Sequence, residues 1–270
     1  MLTRLAVFLL ESSPAMRRAL WRWWYGRLAT KLSSPDWTFM NYGFVPPDAP
    51  GPALEPGDEP DRLCIQLYHR VASGAPLAGR TVLEVGSGRG GGASFITRHH
   101  RPARYVGADF SPQAVAFCRR RHASVANLEF VTGDAESLPF PDASFDAIVN
   151  VESSHCYGNV AKFFQEVARV TRPGGHFLYA DFRTAADMQA IVSGLAGEPG
   201  WRVVQEEDVT AGVANAMQAD DERKRALIEQ NVPAKFRHLF GEFAGLVGGQ
   251  IYGGFRSGKL RYCRLALQRL

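Results

Sequence analysis

Three sets of residues in this chain are able to do chemistry. The first is Thr81–Gly92, TVLEVGSGRGGG, an apolar β-branched run that breaks into five glycines at 86, 88, 90, 91 and 92. Glycine tolerates positive φ and lets a ligand lie against the backbone. A helix beginning after the loop would offer unpaired N–H groups to that ligand. The second set is a series of acids at predicted strand ends: Glu84, Asp109 and the Gly133-Asp134-Ala135-Glu136 turn. The third is His155 with Asp181, plus Glu152 in the same loop as the histidine. An imidazole titrates near neutrality and can take a proton from an alcohol. Asp181 is placed to orient or charge-stabilise it, and Glu152 is the alternative base.

The elements that position these sets follow from hydrophobic rhythm. Predicted strands span 81–85, 104–109, 127–131, 145–150, 175–181, 201–208 and 260–268. Predicted helices span 91–99, 112–122, 160–171 and 185–196, with Arg172-Pro173-Gly174-Gly175 as the turn before the fifth strand. Alternating strands and helices call for an α/β, Rossmann-like sheet with helices on both faces and ligands at the strand ends. Residues 61–72 carry a helical rhythm, and 211–247 read as helical and interrupt the alternation. The expected organisation is an N-terminal helical lid and linker (1–72), a nucleotide-binding core (73–210), a helical substrate cap (211–250) and a last core strand (251–270). Arg119-Arg120-Arg121-His122 is expected to end a helix in solvent, complementing its dipole.

Gly86-Ser87-Gly88-Arg89-Gly90-Gly91 matches G-x-G-x-x-G, a pattern shared by several nucleotide sites. Its neighbours discriminate. Glu84 is awkward beside a pyrophosphate but suits a cationic ligand, and S-adenosylmethionine (SAM) carries an ammonium and a sulfonium. Asp109 suits a ribose diol, and Asp134 suits an adenine amino group. The ordered set LEVGSGRGGG, ADFS, GDAESLPF, SFDAIVN and RPGG resembles the class I SAM-dependent methyltransferases, strongly over about 81–182. At finer grain NYGF (41–44), LYHR (67–70), GGGAS (90–94), VESSHCY (151–157) and SGKLRYC (257–263) are similar to the phthiotriol and phenolphthiotriol dimycocerosate methyltransferases, and more distantly to natural-product O-methyltransferases.

The resemblance implies a seven-stranded sheet whose last strand is antiparallel. It implies SAM as cofactor and a hydroxyl of a bulky, largely apolar, polyketide-like lipid or secondary metabolite as acceptor. The expected cofactor residues are Tyr42, Glu84, Gly86, Ser87, Gly88, Asp109, Phe110, Gly133, Asp134, Ala135, Glu136 and Asn150. The expected catalytic residues are His155, Asp181 and Glu152. Histidine and aspartate at those two strand ends also match the sugar O-methyltransferase pattern. The alternatives are C-methylation of a prenyl or sterol-like alkene and, further off, a nicotinamide oxidoreductase.

Composition narrows partners. A net charge of +4 and pI near 9.0 do not argue for nucleic acid. Cys64, Cys118, Cys156 and Cys263 are scattered, so a reducing, cytoplasmic setting is expected, without a metal site. Leu5–Leu10 is too short to span a bilayer. Residues 1–30 interleave arginines with Trp21, Trp23, Trp24 and Tyr25, a pattern suited to a lid or to peripheral membrane contact. A homodimer is also expected.

Overall fold

A computed structural model describes residues 37–47 and 51–270. The expected membrane-contacting segment, 1–30, lies outside the described residues. Among those described, no helix is long and apolar enough to cross a membrane.

The centre is a seven-stranded sheet in the order β3-β2-β1-β4-β5-β7-β6. Its strands are β1 (Thr81–Val85), β2 (Arg104–Asp109), β3 (Leu128–Thr132), β4 (Phe145–Val151), β5 (Thr171–Thr184), β6 (Trp201–Asp208) and β7 (Leu260–Arg269). β7 runs antiparallel to both β5 and β6, and β1 to β5 pair in parallel. The chain order reverses between β1 and β4, and the glycine loop, Asp109 and the His155 loop all lie at the carboxyl ends of these strands.

Alternation along the strands divides the core in two. Val82, Tyr105, Val149, Leu178 and Ala266 face α1 (Arg62–Ala72), α2 (Gly91–His100) and α3 (Pro112–Arg121). Leu83, Val106, Ile148, Phe177 and Leu265 face α4 (Val160–Val170) and α5 (Ala185–Gly197) on the other side. Burying each such side chain contributes roughly 1.5–3 kcal/mol. Helix starts are fixed by side-chain caps: Ser111 Oγ accepts from Ala114 N at 3.2 Å and Asn159 Oδ1 from Lys162 N at 3.0 Å.

Between β6 and β7 the chain forms α6 (Thr210–Ala219), α7 (Asp221–Asn231), α8 (Ala234–Phe243) and α9 (Gln250–Arg256). Several boundaries shift by a residue or more, and two of the shifts have a backbone cause. β5 starts at Thr171, which pairs with Phe145, and Arg172–Gly175 bulges out before pairing resumes at His176 opposite Ala147. Gly174, at φ +76°, makes that excursion possible, so the expected turn is an interruption within the strand. β3 begins one residue late because Asn127 sits at φ +62°.

Candidate active site

The glycine loop is built as its composition demands. Gly86, Gly88 and Gly90 all have positive φ (80°, 55° and 78°). A Cβ on Gly86 would lie 2.6 Å from Ser153 Cβ and 2.8 Å from the Tyr157 hydroxyl. Above Gly88 the space is open, its nearest neighbour being Met40 Sδ at 3.7 Å. His122 supports the loop from below, its Nε2 3.0 Å from Arg89 O. The expectation of a solvated helix end therefore fails for His122, which is buried, while Arg119–Arg121 are exposed.

The acids around the loop divide into two groups. Asp109 caps the loop itself: Oδ2 accepts from Gly88 N at 2.9 Å and Oδ1 from Ser111 N at 2.9 Å. Burial raises its pKa against those two donors. Asp134 Oδ1 accepts from Glu136 N at 2.9 Å, shaping the Gly133–Glu136 turn, in which Ala135 is buried. Phe110, directly after Asp109, is 41% exposed. Glu84 and Glu136 serve the scaffold. Glu84 is 1% exposed, and its oxygens accept from Tyr68 OH at 2.9 Å and Tyr105 OH at 3.0 Å. Burial raises its pKa to about 7, opposed by the two phenols. Such a carboxylate braces the base of the loop through α1 and β2 instead of presenting a bare charge to a ligand. Glu136 Oε1 accepts from Gly158 N and Asn159 N, both at 3.0 Å, and so ties the third strand's turn to the His155 loop.

Asn150, fully buried at the end of β4, donates through Nδ2 to Val85 O (2.9 Å), Ser153 Oγ (2.7 Å) and Tyr157 OH (3.0 Å). Sequence reading missed Ser153 and offered Tyr157 only as a carbocation stabiliser in the C-methylation alternative, although both lie in VESSHCY. Ser87 Oγ and Asn150 Oδ1 are buried without a hydrogen-bond partner. Buried polar atoms of native proteins rarely stay unpaired. Two such atoms, with the open space over Gly88, fit a polar nucleotide-type cofactor lying on this loop.

His155 and Asp181 meet between the loop after β4 and strand β5. His155 Nδ1 is 2.8 Å from Asp181 Oδ1. Asp181, 0% exposed, also accepts from Phe182 N (2.8 Å), Ser154 Oγ (2.6 Å) and His155 N (3.0 Å), and Arg183 Nη1 lies 3.2 Å from Oδ2. Against its burial, Arg183 and His155 hold the Asp181 carboxyl far below the ordinary carboxylate range. An ionised carboxylate only accepts, so Nδ1 carries a proton toward Asp181. Burial opposes charge on His155, but Cys156 and Asp181 outweigh it and push the pKa up to about 10. The ring also packs on Phe182, 4.6 Å between centroids.

Glu152 stands in the same loop at φ +46°, an unfavourable conformation for a non-glycine residue. Its Oε1 and Oε2 accept from Tyr42 N at 2.9 and 3.2 Å, and burial raises its pKa to about 7. Tyr42 in turn directs its hydroxyl to Phe243 O at 3.3 Å and packs on Phe182 and Phe255. It thus joins the segment at 37–45 to the catalytic loop and the cap. Among the described residues, no group of three or more histidines, cysteines or carboxylates is placed to hold a metal ion.

Comparison with known proteins agrees with this geometry. Residues 83–179 match the model of a methyltransferase domain. The chain belongs to the class I SAM-dependent methyltransferases, and SAM is its methyl donor. It is 40% identical over 253 residues to the phthiotriol/phenolphthiotriol dimycocerosates methyltransferase of Mycobacterium tuberculosis, covering 93% of this chain and 92% of that one. It is 44% identical over 212 residues to the fatty-acid O-methyltransferase of Mycolicibacterium smegmatis, covering 78% and 77%. The crystal structure of the [4+2]-cyclase SpnF superposes with a TM-score of 0.68 at 21% identity, covering 92% and 94%, which establishes the shared fold alone. Family membership disposes of the nicotinamide oxidoreductase alternative.

Proposed function

We propose that the chain O-methylates a hydroxyl of a bulky, largely apolar lipid of polyketide or acyl type, with His155 as general base. The observation that carries this reading is the 2.8 Å contact between His155 and Asp181 at the ends of β4 and β5, in the loop that also touches the glycine turn. The two mycobacterial relatives, named for methylation of lipid acceptors, support it.

The glycine loop, Ser87, Asp109, Phe110, the Gly133–Ala135 turn and Asn150 would hold the cofactor. SAM supplies a methyl group on a positively charged sulfur that departs as a neutral thioether. His155 Nε2 accepts the proton of the acceptor hydroxyl as its oxygen bonds to the methyl carbon. Asp181 keeps the ring in the right tautomer and stabilises the imidazolium. Alignment of oxygen, carbon and sulfur lowers much of the barrier. With its pKa near 10, His155 is mostly protonated at neutral pH. Neutral imidazole is then scarce but strongly basic, and turnover rises with pH.

Residues 1–30 bring the enzyme, a cytoplasmic homodimer, to the membrane surface where such acceptors gather. Liposome flotation of the full chain against a 1–30 deletion checks that role. For the reaction, the purified protein is incubated with methyl-labelled SAM and a long-chain secondary alcohol. The expected product is a methyl ether; label on carbon would select C-methylation.

A further inference from the structure

Behind His155 and Asp181 stands a cation that methyl transfer, as described, leaves without a role. Arg183 follows Asp181 by two residues on β5, so strand alternation puts both side chains on one face. Its side chain is 14% exposed, and its guanidinium folds back on the strand. Nη1 donates to Phe182 O at 2.7 Å and lies 3.2 Å from Asp181 Oδ2, while Nη2 donates to Ser154 Oγ at 2.9 Å. Ser154 closes the arrangement: its Oγ donates to Asp181 Oδ2 at 2.6 Å and lies 3.0 Å from Tyr179 OH.

Asp181 thus serves two partners that can carry positive charge, one on each oxygen. Oδ1 takes His155 Nδ1 at 2.8 Å, and Oδ2 takes Arg183. A guanidinium does not titrate in the working range, so it draws permanently on the negative charge that would otherwise hold a proton on the imidazole. A buried aspartate paired with histidine alone would bind that proton more tightly still. The other titratable groups around the pair cannot weaken it. Glu152, Cys156 and Tyr157 in the loop after β4, Tyr179 on β5, Tyr42 from the segment at 37–45 and Tyr262 on β7 are neutral or become negative. Lys224 of the cap acts on Glu152 instead.

We propose that Arg183 is a positioning residue that works through Asp181: it holds the carboxylate ionised and lowers the proton affinity of His155, so that the imidazole can be emptied to act as base. This rests on the reading of His155 as the general base.

The test is carbon-13 NMR of histidine Cε1 in the labelled full chain, saturated with S-adenosylhomocysteine, with the His155 signal assigned by its loss in His155→Ala. Between about pH 7 and 10, Arg183→Met is expected to raise the proton affinity of His155 about ten-fold, and the rising limb of kcat moves up by about one pH unit with it. Arg183→Lys restores most of the charge and brings both readouts back toward the unmodified protein. Affinity for S-adenosylhomocysteine stays unchanged throughout. An unmoved or lowered His155 titration in Arg183→Met overturns the proposal, as does lower activity with an unmoved pH limb, the mark of a purely structural role. Should Arg183→Met lose S-adenosylhomocysteine binding through misfolding, Arg183→Gln, which keeps a donor and drops the charge, decides by the same shift. A raised titration together with a fully active His155→Ala removes the base and leaves the action of Arg183 on the pair standing. An inactive His155→Ala with an unmoved titration in Arg183→Met does the reverse.

Discussion

The cofactor side and the acceptor side of this site are made differently. On the cofactor side, backbone does most of the work: three glycines at positive φ, with Asp109 holding Gly88 N and His122 buttressing Arg89 O. On the acceptor side, charged side chains do the work: Asp181 and Arg183 on β5, and Glu152 and His155 in the loop after β4. A backbone cradle recognises shape, and its own amides do not titrate. A cluster of coupled charges has a reactivity set by protonation.

Perturbing each side separately sharpens that contrast. His155→Ala is expected to lower kcat by roughly 10²–10⁴-fold, with S-adenosylhomocysteine affinity unchanged by calorimetry. Full activity would remove His155 as base. Asp181→Asn removes the carboxylate that holds the imidazole, so kcat falls by about 10²-fold at its optimum. Its pH profile is the more telling readout. The unmodified enzyme should gain activity up to about pH 10, whereas Asp181→Asn should level off at lower pH.

The same shift has a sign in stability. His155 binds its proton more tightly folded than unfolded, so its stabilising contribution is complete below about pH 6.5 and disappears as pH rises through about 10. Glu152, with its pKa raised to about 7, makes stability fall between about pH 4.3 and 7. Thermal melts across pH check both directions.

On the cofactor side, Gly86→Ala sets a methyl against Ser153 and Tyr157 at φ 80°. The expected result is a loss of about 1–3 kcal/mol in stability with weakened S-adenosylhomocysteine binding, and no change in the shape of the pH profile. The smallest effect is expected from Tyr68→Phe. It deprives the buried Glu84 of one donor, at a cost of about 1–3 kcal/mol in a denaturant melt.

This contrast also explains what the sequence revealed. The cofactor side is contiguous and punctuated: glycine spacing and acids at strand ends are local signals, and the strands around them follow from period-two alternation. His155 was legible because it follows a recognisable strand, and Asp181 because it lies on one. Their neighbours were not. Arg183 sits two residues from Asp181 on β5 but meets Ser154 only because β5 lies beside β4, and Ser153 meets Gly86 only because β4 lies beside β1. Glu84 and Glu136 were legible as acids near a ligand loop, but their partners Tyr68, Tyr105 and Gly158 depend on packing that no local pattern encodes.

β7 enters the sheet between β5 and β6, with Cys263 in register with Asp181. During synthesis, β5 is made some eighty residues before the strand that shields its other edge. Until then the edge bearing Asp181 is open to strays, and β6 has no partner in the sheet. The nascent chain therefore passes through a stage in which the cofactor half can already close while the acceptor half is still a target for chaperones and for misassembly.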